Sequence, residues 1–417
     1  MNDPRRPADR PTLVLVDAFS TGAMLAHEAA RSHRLIHVCS RSTLSDTFAA
    51  SLPTELFAEE HSYPGEDGEL VARLAARNPV AVIAASEFGV EAADDLAHAL
   101  GLRGNDPVLS SARRDKSAMM EALAKAGVRT PRQFRGDDVA ELLGWWRAGG
   151  AGRVVVKPLD SAGSDDVHTC ETEQEITAAF HAIIGKLNLM LRTNEAVLIQ
   201  EYLTGDEYVV NTVSRDGTHW FTDAWISRKT VRDHIRKLYD AEDLLSPAEP
   251  ALEVILPYVS DVLDALGITD GPGHSELILT QDGPVLLETG ARITGLADPA
   301  ALDRCTGANQ VGLTLDCYVG DGTVLTGRPV RYPVRETARC VNLIAHRSVP
   351  LPVARLRAEL ERLPAFERVR FRLAEGAPTR RTVDLNSSPG AVFLVHEDAG
   401  EVDKAYHALR ELEHELL

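Results

Sequence analysis

The chain has 417 residues, 44% of them apolar and 25% charged, the make-up of a soluble globular protein with about two to four structural units. With 62 acidic against 44 basic residues the formal charge is -18, which repels nucleic acid and argues against a DNA or RNA partner. No apolar run approaches the roughly 20 residues of a membrane span, and Leu13–Val16 is far too short for a signal-peptide core, so the sequence reads as cytoplasmic with no membrane partner.

The first segments alternate strand and helix patterns. Leu13–Val16, Leu35–Val38 and Val80–Ala85 are continuous apolar runs. Met24, Leu25, Ala29 and Ala30 follow the first run at helical spacing, and Ala92–Leu100 follows the third. Buried strands alternating with helices predict a parallel α/β layer. The first turn, Asp17 to Gly22, has no G-x-G-x-x-G, which removes the main support for a nicotinamide or flavin site.

Gly101–Pro107 closes this unit. A helix is predicted next, starting near Asp115, with Met119, Met120, Leu123 and Ala124 as apolar positions and Gly127 and Pro131 as stops. Strands follow at Arg153–Lys157 and Ala196–Tyr202. Between about Glu207 and Leu287 the pattern predicts antiparallel strands with one basic helical stretch, Arg228–Lys237. The last block begins near Arg331, with strands at Cys340–Ala345 and Val392–Val395 and a charged helix at Glu401–Leu417. The five cysteines show no metal or disulfide spacing and read as buried thiols of a reduced compartment.

Chemistry concentrates in a few places. Asp282-Gly283 between two apolar runs is a hairpin signal. A three-residue loop Gln281–Gly283 sets Glu276 opposite Glu288, with Leu277 facing Leu287 and Leu279 facing Val285 on the other side. Like charges across a strand pair need a cation or a proton between them, and magnesium takes carboxylate and phosphate oxygens. The alternative is two exposed glutamates on a solvated face, which a one-residue register shift would favour.

Lys157 ends a buried-looking strand, where a charge is costly unless paired. The loop Asp160–Asp166 carries small residues able to approach phosphate, or is an ordinary polar turn. Lys116 stands at a helix start, near amides able to bind an anion. Gln200–Leu203 offers a strand edge to an adenine rim. Arg292, four residues after Glu288, is placed to hold developing phosphate charge. His274 shares the strand face of Glu276, either touching substrate or serving as a hydrogen-bonded structural residue. Leu296 lies one helical turn beyond Arg292, as a wall of a substrate pocket. The basic stretch either is a solvated helix face or steers ATP or an acidic substrate.

In this order, Arg114-Asp115-Lys116-Ser117-Ala118-Met119, the segment from Val155 to Ser164, the segment from Gln200 to Tyr208, and His274 through Arg292 resemble the ATP-grasp superfamily. The nearest likeness is the branch of bacterial L-amino-acid ligases that make dipeptides. It spans nearly the whole chain, including the C-terminal Ser388-Pro389-Gly390.

The resemblance implies a chain of α/β and α+β units in four parts. These are an N-terminal parallel α/β (pre-ATP-grasp) domain over 1–110, a small lid-bearing ATP-grasp subdomain over 111–205, a large subdomain with the metal site over 206–330, and a C-terminal α+β domain over 331–417. It further implies that Lys116 and Lys157 hold the ATP phosphates while Ser161, Gly163 and Ser164 close over them. Glu201, Tyr202 and Leu203 would hold adenine and Glu207 the ribose. Glu276 and Glu288 would bind Mg2+, and Arg292 would stabilise the acyl phosphate and the tetrahedral intermediate. Arg292, Glu288 and Lys157 are then the catalytic set, with His274, Arg292 and Leu296 toward substrate.

The implied activity is ATP-dependent joining of a small-molecule carboxylate to an amine, by a homodimer. Its alternatives are an ATP-grasp carboxylase or nucleotide-pathway ligase, or a protein that binds without catalysis. Retention of both glutamates, both lysines and Arg292 argues against the last. Two departures stand out. Many ATP-grasp enzymes place Asn two residues after the second metal glutamate, where this chain has Gly290, so a second magnesium finds other ligands or is absent. The phosphate loop is also acidic at Asp165 and Asp166, which are expected to point outward.

Overall fold

The computed structural model describes residues 10–417 except 64, 66, 162, 164, 233–235, 296 and 297, and describes no side chain between 231 and 237. Ser164, Leu296 and the centre of the basic stretch therefore lie outside the described residues. Three sheets organise the chain.

The first sheet is parallel, in the order Phe57–Ser62, Arg34–Cys39, Thr12–Val16, Pro79–Ala84. The apolar runs became its two inner strands and the edge strand Pro79–Ala84, with both faces covered and helices Gly22–Ala29 and Val90–Ala99 following the first and last of them. The edge strand Phe57–Ser62 carried no such signal, since its residues alternate between half-buried and exposed. Strand order reverses between Thr12–Val16 and Pro79–Ala84, so the loops at their carboxyl ends flank a crevice of the kind where open α/β sheets bind ligands.

The second sheet is antiparallel, ordered Gln133–Gly136, Val197–Glu201, Val154–Pro158, His168–Cys170. Val154, Val156, Val197 and Ile199 pack against helices Val139–Ala148 and Glu173–Ile183 through Leu142, Trp146, Ile176 and Phe180. Alternation along the strand then sends Lys157 to the opposite face.

The third sheet has eight strands, ordered Gly283–Gly290, Gly271–Thr280, Asp206–Arg215, Thr218–Arg232, Arg236–Leu244, Thr337–Asn342, Gly390–His396, Phe366–Phe371. The C-terminal strands thus continue the sheet that carries the Glu276–Glu288 hairpin, and the terminal helix Ala399–Leu416 packs behind them.

The described ends of the basic stretch, 228–232 and 236–237, are strand and not helix. Arg228 and Lys229 pair with Ala241 and Tyr239 in an antiparallel ladder, because the preceding strand continues and supplies backbone partners that override a neutral local preference. The helix of this region is Leu252–Ala265 instead. Pro257 inside it forfeits one backbone hydrogen bond, which burial of Leu252, Ile255, Leu256, Val259, Val262 and Leu263 offsets. All five cysteines are free thiols, four of them buried and Cys39 half-buried. No helix among the described residues is long and apolar enough to cross a membrane.

Candidate active site

The hairpin reaches the expected pairing by a different route. Its turn is Gln281-Asp282, with Thr280 opposite Gly283, so the loop has two residues and not three. That alone would slip the register by one. A bulge between Glu276 and Leu277 on the ladder leaves Leu287 unpaired and restores Glu276 opposite Glu288. The expected pairs Leu277–Leu287 and Leu279–Val285 are accordingly replaced by Leu277–Leu286 and Leu279–Pro284. Leu277 and Leu286 stay fully buried on the apolar side, and the carboxylates share the other.

A cation already stands at this pair. Lys116 opens the helix Lys116–Lys125, whose first turn is capped by Asp115 accepting from Ser117 N at 2.7 Å and Ala118 N at 2.9 Å. Its Nζ lies 2.6 Å from Glu288 Oε2 and donates to the Ser161 carbonyl at 3.0 Å. Glu276 is oriented by His274, whose Nε2 lies 3.2 Å from Glu276 Oε1 while Nδ1 lies 2.8 Å from Asn211 Oδ1. Both His274 ring nitrogens are therefore engaged within the protein, which gives this residue a positioning role. Burial alone would raise the Glu276 pKa. The His274 hydrogen bond and charge, with Arg292 and Lys229, pull it below the usual carboxylate range.

Lys157 is 6% exposed, and its Nζ donates to Gln200 Oε1 at 3.0 Å. No carboxylate among the described residues pairs with it. Burial, with the like charge of Lys116, pushes its pKa down to about 8. A buried ammonium held only by an amide is a cation set for an anion that enters from outside.

Arg292 is anchored by a residue that no local pattern singles out. Its Nε donates to Glu87 Oε2 at 2.5 Å, and Arg114 Nη1 takes the other Glu87 oxygen. Burial opposes ionisation of Glu87, but Arg114 and Arg292 hold its pKa near 2. Arg114 also meets Asp160 at 2.5 Å, and Asp160 meets Arg192 at 2.9 Å. Glu87 lies just beyond the strand Pro79–Ala84, at the crevice of the parallel sheet.

The same carboxylate explains Gly290. A Cβ there would stand 2.7 Å from Glu87 Oε2, so the space of a side chain at 290 is occupied by the group that holds Arg292. Gly290→Ala is therefore expected to displace Glu87 and lower turnover about 10-fold or more while ATP affinity changes little. Steady-state kinetics beside nucleotide titration check this, and unchanged turnover would show that the loop absorbs the methyl group.

The remaining residues lie around the cleft as follows. Glu201 accepts from Arg132 N at 2.8 Å and Nε at 3.0 Å, and its own N–H goes to Arg132 O. Tyr202 N–H goes to Arg153 O, with the Arg153 guanidinium 5.1 Å from the Tyr202 ring centroid. These two amides are thus already used by the protein, whereas Leu203 N–H meets no acceptor among the described residues. Glu207, 5% exposed, pairs with Lys229 at 2.5 Å through Oε2, while its buried Oε1 meets no donor at hydrogen-bond geometry among the described residues, with the Tyr239 hydroxyl its neighbour. Lys229 thereby leaves the solvated-face reading of the basic stretch. Glu242 is pushed up to about 8 by burial and by the charges of Glu276 and Glu207.

In the loop Asp160–Asp166, Gly163 has φ +65 and its carbonyl accepts from Asn386 Nδ2 at 3.4 Å. Asp165 accepts from Ser161 Oγ at 2.6 Å and from Leu189 N at 3.0 Å. Its charge is committed to holding the loop. Glu87, Glu242 and Asn386 escaped the sequence reading, and Arg114 and Lys229 entered it only within longer stretches, because each meets partners distant in the chain.

An antiparallel sheet bearing a buried lysine, beside a larger one bearing a carboxylate pair, is the architecture of the ATP-grasp fold. Residues 152–299 match the ATP-grasp domain. Over 421 residues the chain is 30% identical to dapdiamide A synthase of Enterobacter agglomerans, covering 97% of this chain and 96% of that protein. An L-arginine-specific L-amino acid ligase of Bacillus subtilis is 27% identical over 161 residues, which is 37% of this chain and 36% of that one. Among solved structures, an L-amino acid ligase from Bacillus licheniformis superposes with a TM-score of 0.75 at 19% identity, covering 96% of this chain and 97% of that one. The N5-carboxyaminoimidazole synthetase from Staphylococcus aureus complexed with ADP gives 0.68 at 12% identity, covering 97% and 98%. The chain belongs to the ATP-grasp ligases, in the group that holds dapdiamide A synthase and the L-amino acid ligases. It is an ADP-forming enzyme that joins a carboxylate to an amine.

Proposed function

We propose that the enzyme joins two amino acids, or an amino acid and a small carboxylate, through an acyl phosphate. The observation that carries this reading is the Glu276–Glu288 pair in register, with Lys116 between it and the Ser161 loop. Among the described residues no cluster of three or more metal-ligating side chains exists. Two carboxylates suit Mg2+, which accepts one or two and completes its shell with phosphate oxygens and water. Glu276 and Glu288 would hold it, and when bound it would neutralise charge on the terminal phosphates.

The chain's own residues do the rest. Lys116 and Lys157 bind the phosphates, with the Ser161–Gly163 backbone closing over them. Glu207 Oε1 is the acceptor for a ribose hydroxyl, and Leu203 N–H is the donor for the adenine rim. A carboxylate oxygen of the donor attacks the γ-phosphorus and ADP departs. The amine nitrogen then attacks the acyl carbon, loses a proton, and phosphate leaves. Arg292, fixed by Glu87, faces the oxygen charge that develops in both steps.

The test is release of ADP and phosphate with ATP and magnesium across pairs of L-amino acids and small carboxylates. Release that needs a particular pair supports the reading. Release that needs bicarbonate and no amine would replace it with a carboxylase.

Lys157 provides a separate check. Free, it loses its proton near pH 8, and a bound triphosphate favours the charged form. ATP binding above pH 8 is therefore expected to take up a fraction of a proton. Calorimetry in buffers of different ionisation enthalpy measures that uptake. Lys157→Met should abolish it and weaken ATP about 10-fold or more. Equal heats in all buffers would remove Lys157 from the phosphate site.

A further inference from the structure

Arg41 lies in the loop after the strand Arg34–Cys39, at the carboxyl edge of the parallel sheet where Glu87 also lies. Its guanidinium carbon is 5.6 Å from the centroid of the Phe88 ring, beside an apolar cluster of Phe19, Phe48 and Met190. Nε and Nη2, the pair that forms the side-on fork for a carboxylate, are both buried and meet no acceptor among the described residues. Nearby Asp17 accepts from Ser40 N at 2.9 Å and from Ser40 Oγ at 2.5 Å. A second unmatched group lies close in the chain to the same ring, since the Ser86 hydroxyl is buried without a partner. Ser40 Oγ to Phe88 O at 3.3 Å ties the two loops together.

The inference rests on the ligase reading above. When two amino acids are joined, the donor's carboxylate is consumed and the acceptor's survives. Arg292, Lys116 and Lys157 serve the first. The second needs a cation away from the phosphates. Arg114, Arg192 and Arg292 are already tied to Glu87, Asp160 and Glu91. We propose that Arg41 is a specificity residue that binds the surviving α-carboxylate of the amine acceptor through Nε and Nη2, with Phe88 beneath it. Both donors are sealed from solvent, so admission requires the segment 40–51 to shift. Its short helix Asp46–Ala50 has no fully buried residue and is held to the cluster by Phe48, whose ring lies 5.4 Å from Phe19 and 5.0 Å from Phe88, so the shift carries that ring with it.

The experiment compares L-amino acid acceptors with their amides in wild type, Arg41→Met and Arg41→Lys, reading kcat and KM for donor, acceptor and ATP separately. Wild type should favour the acid. Arg41→Met should raise the acceptor KM about 10- to 100-fold, leave amide acceptors and ATP unchanged, and so erase the preference, with Arg41→Lys recovering part of it. A rise in the donor KM instead, or an intact preference, overturns the assignment.

Should wild type release no ADP with any pair, the ligase reading fails by itself. Thermal protection by L-amino acids over their amides then decides Arg41. Protection lost in Arg41→Met supports a carboxylate site there, and protection equal in both proteins overturns it.

Discussion

Glu288→Ala is expected to lower ATP-dependent turnover about 10³-fold or more while the protein stays folded. The glutamate pairs across the sheet with Glu276, and it carries the 2.6 Å contact to Lys116. Removing it takes away one of the two carboxylates proposed to hold the magnesium and frees Lys116. The backbone ladder of the hairpin does not depend on this side chain, and Leu277 and Leu286 keep the apolar face closed. The melting curve should therefore shift by a few degrees at most. Glu288→Gln separates charge from shape, since it keeps the volume and loses the anion. Turnover near wild type in the alanine variant would remove Glu288 from the reaction.

Glu87→Ala should have the second largest effect, and it should be felt in both activity and stability. Two guanidinium groups converge on this carboxylate, and Arg114 is almost wholly buried. Leaving them without it costs about 3 kcal/mol of stability. Arg292, released from its 2.5 Å anchor, should cost about 10²-fold in turnover through misplacement. ATP affinity, which the proposed function assigns to the lysines, should change much less.

The pH dependence has a definite sign. Folding lowers the Glu87 pKa from 4.5 to about 2, so its stabilisation is complete above pH 4.5 and is lost as pH falls toward 2. The stability gap between wild type and Glu87→Ala should therefore close on acidification, as denaturant titrations at several pH values would show. A gap independent of pH, with unchanged turnover, would reduce Glu87 to a spectator.

The hairpin shows what kind of reading a sequence allows. Asp-Gly between apolar runs announces the turn, and the two leucine-rich strands announce which side is buried. Glu276 pairs with Glu288 although the loop has two residues and not the three the pattern predicts, because a bulge at Leu287 compensates. Bulges leave little trace in hydrophobic alternation, so the intermediate pairs were wrong while the carboxylate pair was not. The basic stretch failed for another reason. Its residues have no strong local preference, and a strand formed because the ladder from Thr218 onward had somewhere to continue.

By itself the sequence determined the parallel layer, through unbroken apolar runs, and the helix that presents Lys116, through its Asp115 cap and Gly127 stop. It also determined the two chemical ends of the hairpin. These are local features, set by periodicity, capping and turn preference over a few residues. The tertiary structure alone decided that Glu87 holds Arg292 from 205 residues away, that Gly290 yields its space to that carboxylate, and that Arg41 keeps two donors free beside Phe88. Such meetings depend on how three sheets are set against one another. No short-range pattern specifies which charged side chains will find themselves buried together, although once buried they must be paired or wait for a ligand.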